Sequence, residues 1–275
     1  MSIYKLRFPW YAEREGRKEW SMFFWKDASG SKYKTVVYLP KEKYEKAELE
    51  ATSGDIHAAV KLEVGELSMQ STSGNIELSG VTADLATITS TSGEISLKDV
   101  SAGDLLTSAT SGGIVFNKVT AGKAAISCTS GDISLRNITA DAIMVSGTSG
   151  DIELLGTKCG SVELNTNSGE LEMEDVAAEL AVKMKTTSGD ISCVHTDGTE
   201  VMLESISGEI DFEHLKGTEI LLESASGDVK GSIVGAMRYE TKTTSGDIRV
   251  PNSGDGGECR INTTSGDIWI TEANE

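Results

Sequence analysis

Apolar and polar positions repeat along this chain with a period of 19 or 20 residues. The dipeptide Ser-Gly marks each period, at Ser53, Ser73, Ser92, Ser111, Ser130, Ser149, Ser168, Ser188, Ser207, Ser226, Ser245 and Ser265. Six and four positions before the Ser the residues are mainly aliphatic, as in Leu67 and Met69, Ala86 and Ile88, or Val162 and Leu164. Two before it they are small, as in Ala51, Ser90, Cys128 and Gly147. Alternate inward residues mean a strand with one buried face. Three past the Ser every residue is aliphatic, from Ile56 and Ile76 through Leu171 to Ile268. Five past it come Leu78, Leu97, Phe116, Leu135 and Met173, so a second strand follows. The inward parity changes across Ser-Gly, which places a sharp corner there. A third short strand fits near Val81, Val100, Val119, Ile138 and Val176.

A unit this short cannot bury its apolar face alone and must stack on its neighbours. The pattern predicts an all-β fold, a single-stranded parallel β-helix of about twelve coils over residues 45–275. At ~4.8 Å per coil the stack would be ~55–60 Å long. No helical period of convincing length competes with it.

Residues 1–44 break the pattern. They hold eleven of the fifteen aromatic residues, among them Trp10, Tyr11, Trp20, Phe23, Phe24 and Trp25. An uncovered first coil would expose its core and an unpaired strand edge. This segment is therefore expected to be a β-rich cap, with a strand over Lys34-Thr-Val-Val-Tyr-Leu-Pro40. A second use for its basic and aromatic residues would be a membrane surface or an anionic polymer.

Charge sharpens the contrast. The chain carries a net charge of -18, yet residues 1–44 hold ten Lys/Arg against five Asp/Glu. The repeat body should therefore repel nucleic acid and anionic lipid. Neither an apolar h-region nor a membrane-length apolar run occurs, so no signal peptide or transmembrane segment is expected; the compartment, cytoplasm or cell envelope, stays open.

Candidate chemistry is sparse. Two past the Ser stands an acidic column of Asp55, Glu94, Asp132, Asp151, Glu170, Asp190, Glu209, Asp228, Asp247 and Asp267, interrupted by Asn75 and Gly113. Turn carboxylates that accept backbone N–H groups account for it better than a cation ladder. Thr precedes the Ser in nine coils and, with Thr89, Ser108, Ser127 and Ser146, makes a hydroxyl array. Ice-binding solenoids use flat arrays of this kind, but Glu50, Glu204, Glu223, Lys185 and Lys242 interrupt this one, and β-propensity explains it. Cys128, Cys193 and Cys259 fall at inward positions of distant coils, with Cys159 in a connecting segment, so buried free thiols are expected. By spacing, His57, His195 and His214 form no metal cluster. No nucleophile motif, P-loop or dinucleotide fingerprint appears. Catalytic residues, metal ligands and cofactors are accordingly none, and the binding residues and partner are unknown.

The tract Val36-Val-Tyr-Leu-Pro-Lys, then Leu49-Glu-Ala-Thr-Ser-Gly-Asp-Ile and many Thr-Ser-Gly-Asp-Ile coils, resembles the bacterial β-helix proteins labelled as adhesins and classed as a domain of unknown function. The resemblance covers roughly residues 20–275. It implies a right-handed β-helix, a link to the cell envelope and no established catalytic residues. The function expected is a non-enzymatic scaffold or interaction protein of the envelope, engaging a protein or an envelope polymer and not nucleic acid. Self-association through a solenoid end is a further expectation. The alternative is a carbohydrate-active β-helix enzyme, which would need paired carboxylates on a groove built by long loops.

Overall fold

The computed structural model describes residues 4–7, 21–26, 33–38, 43–252 and 254–274. All its regular structure is β, and no helix long and apolar enough to cross a membrane occurs among these residues. Three strands precede the repeats: β1 (Tyr4–Arg7), β2 (Ser21–Lys26) and β3 (Tyr33–Tyr38). The stack opens with β4 (Lys43–Ser53) and β5 (Ile56–Ser73). It continues through β6 (Ile76–Ser92), β7 (Ile95–Ser111), β8 (Ile114–Ser130), β9 (Ile133–Ser149), β10 (Ile152–Ser168) and β11 (Leu171–Ser188). Each is one coil of parallel pairing with Ser aligned on Ser in the next, the 20-residue periods being absorbed by register shifts between Ala59 and Leu62 and between Cys159 and Ser161.

Each coil turns sharply at Ser-Gly and again seven residues later. The second corner holds a residue with left-handed backbone: Gly80, Asp99, Lys118, Asn137, Gly156, Asp175, His195 and His214, with φ between 47° and 73°. Asn, Asp and His tolerate this conformation better than most residues. The pairing lapses once more near Asp84, Gly103, Gly122, Asp141 and Gly160, so three straight segments enclose the core. Val81, Val100, Val119, Ile138 and Val176 are buried on the third segment, as the pattern predicts. At the first corner the coils approach closely. Gly150 has φ +129°, and a Cβ there would lie 2.3 Å from the carbonyl oxygen of Gly131.

Beyond β11 the coils split at their corners into β12 (Ile191–Asp197), β13 (Glu200–Ser207), β14 (Ile210–Lys216), β15 (Glu219–Ser226) and β16 (Val229–Val234). The remaining strands are β17 (Met237–Lys242), β18 (Ile248–Arg249), β19 (Gly257–Ser265) and β20 (Ile268–Ala273). Their order departs from the sequence. The last coil, β19 and β20, stacks directly on β15 and β16, and β17 and β18 lie on its far side. The far end of the stack is therefore formed by residues 237–249 and not by Ile268-Trp269-Ile270, the last coil in sequence. Leading into the last coil, the Gly254 N–H donates to the Met237 carbonyl at 2.8 Å.

At the other end β1 runs antiparallel to β4, pairing Tyr4 with Ala51 and Arg7 with Glu48. β2 and β3 form a separate antiparallel pair. Backbone pairing therefore covers part of the first coil's edge, as a cap requires. Trp10, Tyr11 and Trp20 lie outside the described residues. Of Phe23, Phe24 and Trp25 only the backbone is described.

Candidate functional site

The acidic column is a hydrogen-bond ladder. Asp55 Oδ1 accepts the Asn75 N–H at 2.9 Å, and Asn75 Oδ1 accepts the Glu94 N–H at 2.9 Å. Asp132, Asp151 and Asp190 accept from Asp151, Glu170 and Glu209 in the same way. The short Asp or Asn side chain reaches the next coil's amide. Glu94 and Glu170 occupy the same position and make no such onward bond. This is the turn chemistry expected, carried from coil to coil. Burial raises the Glu170 carboxyl, and Glu172, Asp151 and Asp190 raise it further.

Cations answer the acids elsewhere on the surface. Arg136 forms two bonds of 2.9 Å to Glu153, which also accepts from Ser134 Oγ at 2.8 Å. The Ser134 bond is the main cause of the lowered Glu153 carboxyl, with burial opposing and Arg136 assisting. Arg238, Glu258, Arg260 and Glu240 make a continuous exposed network.

One stretch of the surface carries no charge along three outward columns. Outward positions five, three and one before the Ser hold only uncharged residues in five consecutive coils, from Ser68, Gln70 and Thr72 to Met144, Ser146 and Thr148. The charged interruptions noted in the sequence all lie outside these coils, where Lys185 pairs with Glu204 at 2.6 Å. Within the face Leu106 is 45% exposed and Met144 58% exposed. A shallow depression runs between them, lined by Thr89, Ser108, Ala125, Ser127, Ser146 and Asn165 among others.

The four cysteines are free and buried. Cys159 is not in a connecting segment: it points into the core in register with Ala140 and Ala178. Burial pushes the Cys193 and Cys259 thiols up to about 12 and that of Cys159 to about 11.

Two histidines do meet. His195 and His214 stand 19 residues apart, one period, and share the left-handed corner column with Asp175. Their ring centroids are 5.0 Å apart, and His195 Nδ1 lies 3.5 Å from Asp175 Oδ1. The repeat period itself carried this signal. A motif search by conventional metal-ligand spacing passes over it. His57 is remote in the stack and faces Glu77 at 2.6 Å.

The family model described as Toastrack DUF4097 matches residues 13–155 and again residues 124–271. The two placements are offset by about six coils, as a repeat allows. No curated protein and no solved structure is significantly similar to the chain.

Proposed function

Because the chain belongs to the Toastrack DUF4097 family, a domain of unknown function, we propose that it is a non-enzymatic scaffold of the bacterial cell envelope. In this reading it engages an uncharged envelope polymer in the manner of an adhesin. The observation that carries the reading is the set of three charge-free columns, five, three and one before the Ser, in the five coils from Ser68 to Thr148, set in a chain of net charge -18. On so acidic a body, a charge-free stretch over five coils marks a surface where charge would be costly. A neutral, hydroxyl-rich chain meets no desolvated ion there. Ser and Thr hydroxyls can bond it, and Leu106 and Met144 supply apolar contact. The face rises ~24 Å along the stack, enough for several sugar units. Backbone pairing between coils holds it in place without any ligand.

The test is a titration of the full chain with purified neutral and anionic envelope polysaccharides, followed calorimetrically at low and high salt. Binding should favour the neutral polymer, change little with salt and fall in Met144→Glu and Ser127→Glu. Retained binding in both variants removes the face from the reading. Release of new reducing ends would instead support the carbohydrate-active alternative.

A further inference from the structure

We propose that Asp175, His195 and His214 form a binding site for a divalent transition metal ion, zinc being the best match. The three residues occupy the same corner of three successive coils. Each has left-handed backbone, with φ of 53°, 47° and 52°, so the three Cα–Cβ bonds leave the stack in the same sense. The coil pairing on either side of the corner is in register, Val176 with Thr196 and Thr196 with Leu215. The donors are therefore carried on a rigid ladder rather than on a loop, which is the condition for a preorganised site.

The donor set is one carboxylate and two imidazoles, a combination suited to zinc and its neighbours and poorly suited to calcium or magnesium. The geometry is half built. A tetrahedral shell with bonds of ~2.0–2.1 Å has donor-to-donor edges of roughly 3.4 Å. His195 Nδ1 and Asp175 Oδ1 are 3.5 Å apart, already such an edge. Both side chains are exposed, at 57% and 63%. Among the described residues no three donors yet stand close enough to hold an ion. The third is within reach, since the His214 ring centroid is 5.0 Å from that of His195. Rotation of the His214 side chain is the movement that would complete the shell, its backbone being held by an N–H bond of 2.9 Å to Ser232 Oγ. His214 Nδ1 is buried without a hydrogen-bond partner, which leaves Nε2 as the nitrogen for the ion. Water would fill the fourth position.

The experiment titrates the metal-free full chain with zinc chloride and, separately, with cobalt chloride. One ion should bind per chain, and the cobalt form should show the intense visible absorption of a tetrahedral site. Asn is the substitution of choice, since Asn137 already occupies this corner with φ 56°. His195→Asn and His214→Asn should each weaken zinc by at least ~10-fold, given that even an outer-shell partner is worth ~10–100-fold. His57→Asn should change nothing. A second readout needs no variant: zinc should shift the ring proton resonances of His195 and His214 and leave those of His57 in place. Absence of saturable uptake below millimolar zinc overturns the proposal. So does unchanged affinity in the double variant, or a response confined to His57.

Discussion

The backbone N–H of Asp267 donates to Oδ1 of Asp228 at 2.7 Å, although 39 residues and one whole coil separate them in sequence. Asp267 Oδ1 in turn accepts the N–H of Asp247 at 2.8 Å. The ladder therefore runs 228, 267, 247, and the final coil sits inside the penultimate one. The two coils share Thr-Thr-Ser-Gly-Asp-Ile at residues 243–248 and 263–268, so either could satisfy Asp228. The outer surface they leave differs. With residues 237–249 outermost, Tyr239 and Thr241 are only half-buried and Ile248 is 42% exposed.

Cross-linking tests this order. Adjacent coils place matched Cα atoms ~4.8 Å apart, inside the ~4.4–6.8 Å range of a disulfide, and alternate coils ~10 Å apart, outside it. Ser226→Cys with Ser265→Cys should oxidise to an intramolecular disulfide within the folded protein. Ser226→Cys with Ser245→Cys should not. The reverse result, read by mass spectrometry of the oxidised chain, would restore sequence-order stacking.

The acidic ladder yields a finer expectation. Asp132→Asn keeps the acceptor for the Asp151 N–H and should leave the melting temperature nearly unchanged, as Asn75 already serves this purpose. Asp132→Ala loses the bond and should cost about 1 kcal/mol. Asp132→Glu should behave like the Ala variant, since Glu94 and Glu170 do not reach the next coil. Calcium at constant ionic strength should not rescue any of them. A saturable calcium-dependent rise in melting temperature would mean the carboxylates bind cations instead.

Most of the stack was legible because a period fixes everything that is repeated: Ile133 and Ile152, one period apart, had to be buried alike, and are. The second corner was harder to see. Its residues range from Gly80 to Lys118 and His195, because what they share is a backbone angle and not a side-chain type. Cys159 is not legible as a core residue, because its column elsewhere holds Ala83, Ala102, Ala121 and Ala140, too small to read as a core wall. The inversion of the last two coils was invisible, since identical Thr-Thr-Ser-Gly-Asp-Ile segments carry no information about which one stacks first. The neutral stretch is hard to see in sequence because the same columns carry Glu50 and Glu204 on either side of the five clean coils.

The buried thiols set an alkaline limit. Burial raises Cys159 to about 11 and Cys193 and Cys259 to about 12, above the ordinary thiol value of 9.0. The folded protein therefore holds these protons more tightly than the unfolded chain. Their contribution to stability is fully present below pH 9.0 and is lost as the pH rises through 11 to 12. The melting temperature should fall progressively over that window. At pH 8 the native thiols should react with a disulfide reagent only as fast as the chain opens. Immediate reaction of the native protein would contradict the burial of these columns.

The last prediction concerns the start of the stack. Among the described residues every other pairing of the solenoid is parallel and comes from a coil, whereas β1 lies antiparallel on β4 through Lys5–Glu50 and Leu6–Leu49. Antiparallel addition at this edge occupies backbone groups that no coil precedes. Without it, β4 would offer a row of free N–H and C=O groups beside a stacked apolar core, the arrangement that recruits a second chain. We propose that residues 1–44 act as the cap of a repeat domain spanning residues 45–275, with β1 as its essential strand. Deleting residues 1–10 should expose the edge, and light scattering should then show dimers or larger species at concentrations where the full chain is monodisperse. Leu6→Pro should have the same effect, because proline removes an N–H and disfavours a paired strand. The surface β17 presents at the opposite end is unchanged in both variants, so association that appears only in them must involve β4. A truncated chain that stays monomeric with an unaltered melting temperature would show that β1 does not cap the stack.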